Sequence, residues 1–181
     1  MKLYRIILVD DEEEVRKSII RKIKWEENGF LVAGDAENGE DALEKIEALE
    51  PDLILTDIRM PYMDGLTLAE RVRQKYPSMK IVIFSGYDDF EYAKQAIKLN
   101  VTEYILKPVN VEELTAILQK IKANLDQEIE QKRNVNLLRE NYIKSLPILR
   151  EQFLNELVNA PVSFELVEAR LKEYGIPLSG A

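Results

Sequence analysis

Pro51-Asp52-Leu53-Ile54-Leu55-Thr56-Asp57-Ile58-Arg59-Met60-Pro61-Tyr62-Met63-Asp64-Gly65 opens with a short apolar run and places an acid where the run stops. Leu53, Ile54 and Leu55 fit a strand buried on both faces, as in a parallel sheet covered by helices. Asp57 then falls at the carboxyl end of that strand, the edge where open α/β sheets bind ligands. Pro61 and Asp64-Gly65 mark a turn before the next helix. An acid at a strand end also serves as a helix cap or turn former, so the stretches on either side must decide its role.

On the N-terminal side, Tyr4 to Val9 reads as a second buried strand ending in Asp10-Asp11. Glu12 to Glu26 reads as a helix with Val15, Ile19, Ile20 and Ile23 on one face and an acidic first turn, as the helix dipole prefers. Trp25 reads as a packing residue. Asn28-Gly29 ends this helix, Phe30 to Ala33 is a strand, and Asn38-Gly39 starts a helix that Pro51 terminates. On the C-terminal side come a helix over 66–76, a strand over 81–84 ending at Ser85-Gly86, and a helix from Asp88 to Leu99. A strand over 103–106, closed by Lys107-Pro108, leads to a helix starting near Val111. Five alternations of strand and helix in about 120 residues predict a doubly wound α/β fold with a five-stranded parallel sheet.

Beyond that, residues 111–145 contain neither glycine nor proline. Leu114, Leu118, Ile121 and Leu125 form a heptad-like seam, interrupted by Glu128 and Lys132 and resumed by Val135, Leu138 and Tyr142. The expectation is an extended linker helix, either a weak coiled coil or a solvated spacer. Pro147 is expected to break it, leaving two short amphipathic helices over 148–158 and 163–174. So short a tail is expected to bury no core alone.

Composition removes several kinds of chemistry. The chain has 181 residues, no histidine and no cysteine. Ser-His-Asp and Cys-His catalysis, histidine-ligated zinc, a phosphohistidine carrier and disulfides are therefore excluded. The net charge of −8 argues against nucleic-acid binding by this chain itself. With no apolar run near the ~20 residues of a membrane span and no secretory signal, a cytoplasmic protein is expected.

What remains is carboxylate, lysine and hydroxyl chemistry at one sheet edge. Asp10 and Asp11 follow strand one, Asp57 ends strand three, Ser85 ends strand four and Lys107 follows strand five. Three carboxylates meeting there would repel one another, and a hard cation such as Mg2+ would relieve them. With Lys107 as a fixed positive charge, these parts suit phosphoryl transfer, and Asp57 is the best-placed nucleophile. Each piece alone is commonplace; their arrival at successive strand ends is not.

Ile7-Leu8-Val9-Asp10-Asp11-Glu12, the Asp57 to Gly65 stretch, Ser85-Gly86 and Tyr104-Ile105-Leu106-Lys107-Pro108 together resemble the receiver domain of two-component response regulators. The resemblance covers about residues 1–123. It implies a flavodoxin-like sheet of order 2-1-3-4-5, phosphorylation of Asp57 by a sensor histidine kinase, and no steady enzymatic turnover. It further implies Mg2+ held by Asp11, Asp57 and the main-chain carbonyl of Arg59, with Asp10 acting through water. Lys107 would contact the phosphoryl group, Ser85 and Tyr104 would form the switch, and Lys107-Pro108 would be a cis peptide. Many relatives carry Asn where Arg59 stands, which puts the dephosphorylation rate in question rather than the metal.

Ile23-Lys24-Trp25, the stretch from Gly86 to Ala93 and the region of Leu138-Arg139-Glu140 resemble YesN-type regulators, whose receivers precede a helical linker and an AraC-type DNA-binding domain. On that basis residues 1–123 are expected to be the receiver, 124–146 the linker and 147–181 the start of a downstream region. The chain would be a piece of a longer regulator or a stand-alone receiver with a linker. It would dimerise on phosphorylation and meet DNA only through a further domain. Two rivals from other classes are a metal-dependent phosphohydrolase, which needs a second carboxylate where Arg59 stands, and a structural interaction module that has lost phosphorylation; the alternative output is a phosphorylation-controlled interaction module without DNA binding.

Overall fold

A computed structural model of the chain describes residues 3–86, 90–159 and 163–176. Within these, β1 (Tyr4–Val9), α1 (Glu13–Lys22), β2 (Phe30–Ala36), α2 (Gly39–Leu49), β3 (Leu53–Asp57), α3 (Gly65–Lys75), β4 (Lys80–Ser85), α4 (Phe90–Lys98) and β5 (Glu103–Leu106) alternate. They are followed by α5 (Val111–Asn159) and α6 (Phe164–Glu173). The strands form one parallel sheet of order β2-β1-β3-β4-β5, as the sequence predicts. The chain divides into two units, Met1–Asp126 and Gln127–Ala181.

Successive side chains of a strand leave on opposite faces, and in the central strands both sets are apolar. Ile6, Leu8, Leu53, Leu55, Val82, Phe84 and Ile105 form one face with Ile19 of α1, Ile23 just after it, and Leu114, Leu118, Ile121 and Leu125 of α5. Ile7, Val9, Ile54, Ile81 and Ile83 form the other with Ala42 and Ile46 of α2, Leu68 and Val72 of α3 and Ala96 of α4. Each fully buried Val, Leu, Ile or Phe among them contributes roughly 1.5–3 kcal/mol, so the two faces hold the sheet between helical layers.

Four expectations need correction. Helix α1 stops at Lys22 rather than Glu26, because Ile23 turns extended to reach the core. The Trp25 indole then folds back and donates to the Ile20 carbonyl at 3.0 Å. The seam over 114–125 is no coiled-coil face: all four side chains are buried in the sheet's own core. The later apolar positions of the seam, Val135, Leu138 and Tyr142, are exposed.

Pro147 does not end its helix; it lies inside α5 at an exposed position. A proline there leaves the carbonyl four residues back, that of Ile143, without its helical donor, and Ile143 lies at an exposed position. Finally, the tail does bury a small core of its own. Phe153 of α5 packs edge-on against Tyr174 at 5.8 Å, with Leu171 beside them. The Arg150 Nε donates to the Tyr174 carbonyl at 2.7 Å. Of the helix expected from Asp88, residues 88 and 89 lie outside the described residues.

Candidate functional site

In a parallel sheet all strands end at one edge, and the order 2-1-3-4-5 makes β1, β3, β4 and β5 consecutive neighbours. Asp10, Asp57, Ser85 and Lys107 therefore converge across adjacent strand ends. The Lys107 Nζ lies 2.8 Å from Asp10 Oδ2 and 3.1 Å from Asp57 Oδ1. This shared ammonium is the centre of the site. The side chains of Asp10, Asp57 and Lys107 are 3%, 11% and 21% exposed, so one edge of the cluster opens to solvent. Ser85 is buried at the end of β4, and its carbonyl accepts from the Lys107 N–H at 2.7 Å. The Lys107-Pro108 peptide is cis.

Burial is the strongest influence on Asp57 and pushes its carboxyl above the ordinary range. The Lys107 charge and hydrogen bond pull it back, and the Asp10 charge pushes it up again. Burial is also the largest single influence on Lys107 and pulls its ammonium down. The hydrogen bond and charge of Asp10, with the charge of Asp57, outweigh it and hold Lys107 above the usual lysine value.

The expected meeting of three carboxylates is not found. Among the described residues no three acids come together closely enough to hold a metal by side chains alone. Asp10 turns inward and accepts from the Glu12 N–H at 2.9 Å, while the next residue, Asp11, is exposed. Two clustered acids and one nearby still suit magnesium, which takes one or two carboxylates and keeps several waters. They do not suit an ion that needs an all-protein cage.

Several site-shaping residues escape a reading of sequence alone. Arg16 on α1 donates to the Asp10 carbonyl at 2.6 Å and pairs with Asp35 at 2.6 Å, fixing the β1 end. Its only signal was a base shortly after a run of acids. The buried Thr56 hydroxyl donates to the Asp57 carbonyl at 2.9 Å. Gly65 brings the start of α3 against Asp57: a Cβ there would stand 1.9 Å from the Asp57 carbonyl oxygen. Its N–H donates to the Ile58 carbonyl at 2.8 Å. Asp64 caps α3 by accepting from the Thr67 N–H at 2.7 Å.

Arg59 is exposed, and its guanidinium lies 5.7 Å from the centre of the Tyr92 ring. Tyr104 packs against the second face of the core, and its hydroxyl is buried without a hydrogen-bond partner among the described residues.

The family described as response regulator receiver domain matches residues 6–119. The chain is 37% identical over 158 residues to the uncharacterized transcriptional regulatory protein YesN of Bacillus subtilis, covering 86% of this chain and 42% of the relative. It is 31% identical over 157 residues to the transcriptional regulatory protein HptR of Staphylococcus aureus, covering 87% of this chain and 61% of that one. It thus spans about half the length of these relatives. The solved receiver domain of AraT, a response regulator from Geobacillus stearothermophilus, superposes with a TM-score of 0.66 at 39% identity, over 70% of this chain and 98% of that one. The shared edge of Asp10, Asp57 and Lys107 sits inside the matched segment, and the chain belongs to the response regulator receiver family, the receiving modules of two-component systems.

Proposed function

We propose that Asp57 accepts a phosphoryl group from a phosphohistidine on a partner sensor histidine kinase, and that the resulting change in shape controls a DNA-binding transcriptional regulator domain. The observation that carries this is the Lys107 ammonium bridging Asp10 and Asp57 at an edge open to solvent. An Asp57 carboxylate oxygen attacks phosphorus, the phosphorus–nitrogen bond breaks, and the imidazole leaves with the electron pair and takes up a proton. Lys107 stands ready to hold a phosphoryl oxygen, and Ser85 to donate to another. Asp11, Asp57 and the Arg59 main-chain carbonyl, with Asp10 nearby, would hold magnesium, which would supply charge neutralisation when bound.

A groove of about 590 Å³ runs between α1 and the start of α5, lined by Val15, Ile19, Val109 and Leu114 among others, and reaches Lys107. An apolar-lined groove ending at the acceptor's lysine suits a kinase helix that presents its phosphohistidine to Asp57.

Magnitudes shape the switch. A charge-assisted hydrogen bond from Ser85 contributes about 1.5–3 kcal/mol, whereas reversing a 1:99 equilibrium needs about 5.5 kcal/mol. The Lys107 pair, the placement of Tyr104 and a partner surface supply the remainder. We assign residues 1–123 to the receiver and the helix beyond to a linker. In this reading phosphorylation rearranges α4, β5 and the start of α5 and favours a homodimer, in which exposed Val135, Leu138 and Tyr142 pair with a second chain. Steady phosphohydrolase turnover is disfavoured, because the position two after Asp57 holds Arg59 over a tyrosine ring rather than a second carboxylate. Among the described residues no helix is long and apolar enough to cross a membrane, which accords with a cytoplasmic place of action.

Incubation with acetyl phosphate and magnesium, followed by intact mass measurement, tests the acceptor. Wild type gains one phosphoryl group and Asp57→Ala gains none. Equal labelling of the two removes Asp57 from the role. Light scattering with a beryllium-fluoride phosphate mimic then tests dimerisation, and an unchanged mass across a wide concentration range removes it.

A further inference from the structure

Asp10 is the first residue past β1, and each of its polar atoms is held by a different group. Its N–H donates to the Ala36 carbonyl of β2 at 3.1 Å. Its Oδ1 accepts from the Glu12 N–H at 2.9 Å and its Oδ2 from the Lys107 ammonium at 2.8 Å. Its carbonyl accepts from Arg16 Nη1, in the first turn of α1, at 2.6 Å. The next residue differs. Asp11 is exposed, and among the described residues its carboxylate has no hydrogen bond or ion pair. The direction of that carboxylate is therefore inherited from its backbone.

A peptide unit is planar, so a bond that fixes the Asp10 carbonyl also fixes the Asp11 N–H and Cα. Arg16 makes that bond with one arm of its guanidinium. With Nε it donates to Asp35 Oδ2 at 2.6 Å. Asp35 stands opposite Leu8 in the β1–β2 register, and its own carbonyl accepts from Lys45 of α2 at 2.6 Å. The planar fork of an arginine holds two acceptors in set directions, which a lysine ammonium does not. The Arg16 side chain is 11% exposed and that of Asp35 46%. An ion pair with so exposed a partner adds little stability; what it chiefly supplies is direction. Magnesium demands near-ideal octahedral geometry, so the direction of a ligand decides how well it binds. We infer that Arg16 is a positioning residue for magnesium: anchored on Asp35, it fixes the plane of the Asp10–Asp11 peptide and so aims the Asp11 carboxylate at the ion. The inference rests on the magnesium reading proposed above and extends it to two side chains that touch no metal.

Manganese binding to the full chain tests it. Mn2+ takes the same octahedral oxygen sites as magnesium, and electron paramagnetic resonance counts its free ion without any phosphoryl transfer. Arg16→Gln is expected to raise the Mn2+ Kd about tenfold or more, the range for losing a group that orients a metal ligand. Asp35→Asn leaves the donor to Asp10 in place, and is expected to shift Kd the same way by less. Asp11→Asn is expected to weaken binding strongly. Adding Arg16→Gln or Asp35→Asn to it should change Kd no further, because all three act through one carboxylate. Labelling by acetyl phosphate gives a second readout: Arg16→Gln should label slowly at low magnesium and at the wild-type rate at saturating magnesium. Circular dichroism shows which variants are folded at the titration temperature.

A folded Arg16→Gln protein with the wild-type Kd, beside an Asp11→Asn protein that loses the ion, would overturn the inference. Additive losses in the double variants would do the same, as would a labelling defect that saturating magnesium does not repair. Should Arg16→Gln fail to fold, Asp35→Asn decides, and an unchanged Kd there counts against the inference. Wild-type binding in Asp11→Asn, or no binding by the wild type, fails the magnesium reading instead, and the role of Arg16 falls with it.

Discussion

Replacing Gly65 by alanine isolates how the fold presents Asp57. The new Cβ would stand 1.9 Å from the Asp57 carbonyl oxygen, 2.9 Å from its carbon and 3.1 Å from the Ile58 Cα, where ordinary contact begins at 3.4 Å. All three atoms are backbone, so no side chain can rotate away. Relief requires the start of α3 and the end of β3 to separate by about 1.5 Å, which also stretches the Gly65 to Ile58 hydrogen bond. Overpacking costs about 1–3 kcal/mol where side chains can adjust, and here they cannot. A loss of about 3 kcal/mol or more corresponds to a Tm lowered by roughly 6–12 °C in a chain of this size. Misplacing a reacting group by an ångström costs on the order of 100-fold in rate, so labelling by acetyl phosphate should slow by about that factor. Gly86→Ala is the control, because a Cβ there meets nothing within 4 Å; its Tm should stay within about 2 °C. Thermal unfolding by circular dichroism and a timed phosphate-affinity gel give both readouts. A Gly65→Ala protein that melts and labels like wild type would show that α3 does not close on the Asp57 backbone.

Leu118→Ala removes a fully buried side chain of the sheet core and should cost about 2–5 kcal/mol independently of protein concentration, whereas Leu138→Ala, 69% exposed, should cost under ~0.5 kcal/mol in dilute monomer; denaturant unfolding at two concentrations checks both. The Tyr4 hydroxyl donates to Asp126 at 2.6 Å, and Asp126 is held below the ordinary carboxylate value, first by its hydrogen bond from Lys122 and then by that from Tyr4. A depressed folded value stabilises above the unfolded carboxylate range and loses that contribution as pH falls through the folded value. Asp126→Asn should therefore lower Tm by a small, constant amount above about pH 5, a difference that disappears below about pH 3 in melts across pH. With magnesium held at the folded site as proposed, and not by the unfolded chain, millimolar magnesium should raise the Tm of wild type, and a chelator should reverse this. Asp57→Ala should lose most of the gain.

The alternation of apolar strands with amphipathic helices fixed the doubly wound class, because strand and helix periods and their punctuation are local properties of sequence. The acid at the end of Leu53-Ile54-Leu55 and its counterparts at 10, 85 and 107 were legible for the same reason: each marks where an apolar run stops. The limits of helices were not, since Ile23 leaves α1 for a core contact and Pro147 stays inside α5 at an exposed position. Periodicity alone also cannot tell a helix stripe that faces a sheet from one that faces another helix, and the seam over 114–125 proved to be the former.

Chain order by itself determined which residue types reach the active edge. Tertiary structure alone decided how they meet there: one ammonium shared by Asp10 and Asp57, Asp11 turned to solvent, and α3 closed on the Asp57 backbone through Gly65. It also set Arg59 on Tyr92 across a gap of 33 residues in sequence. The physical reason is that a strand end depends on a few neighbouring side chains, whereas the distance between two strand ends depends on every layer packed on both faces of the sheet.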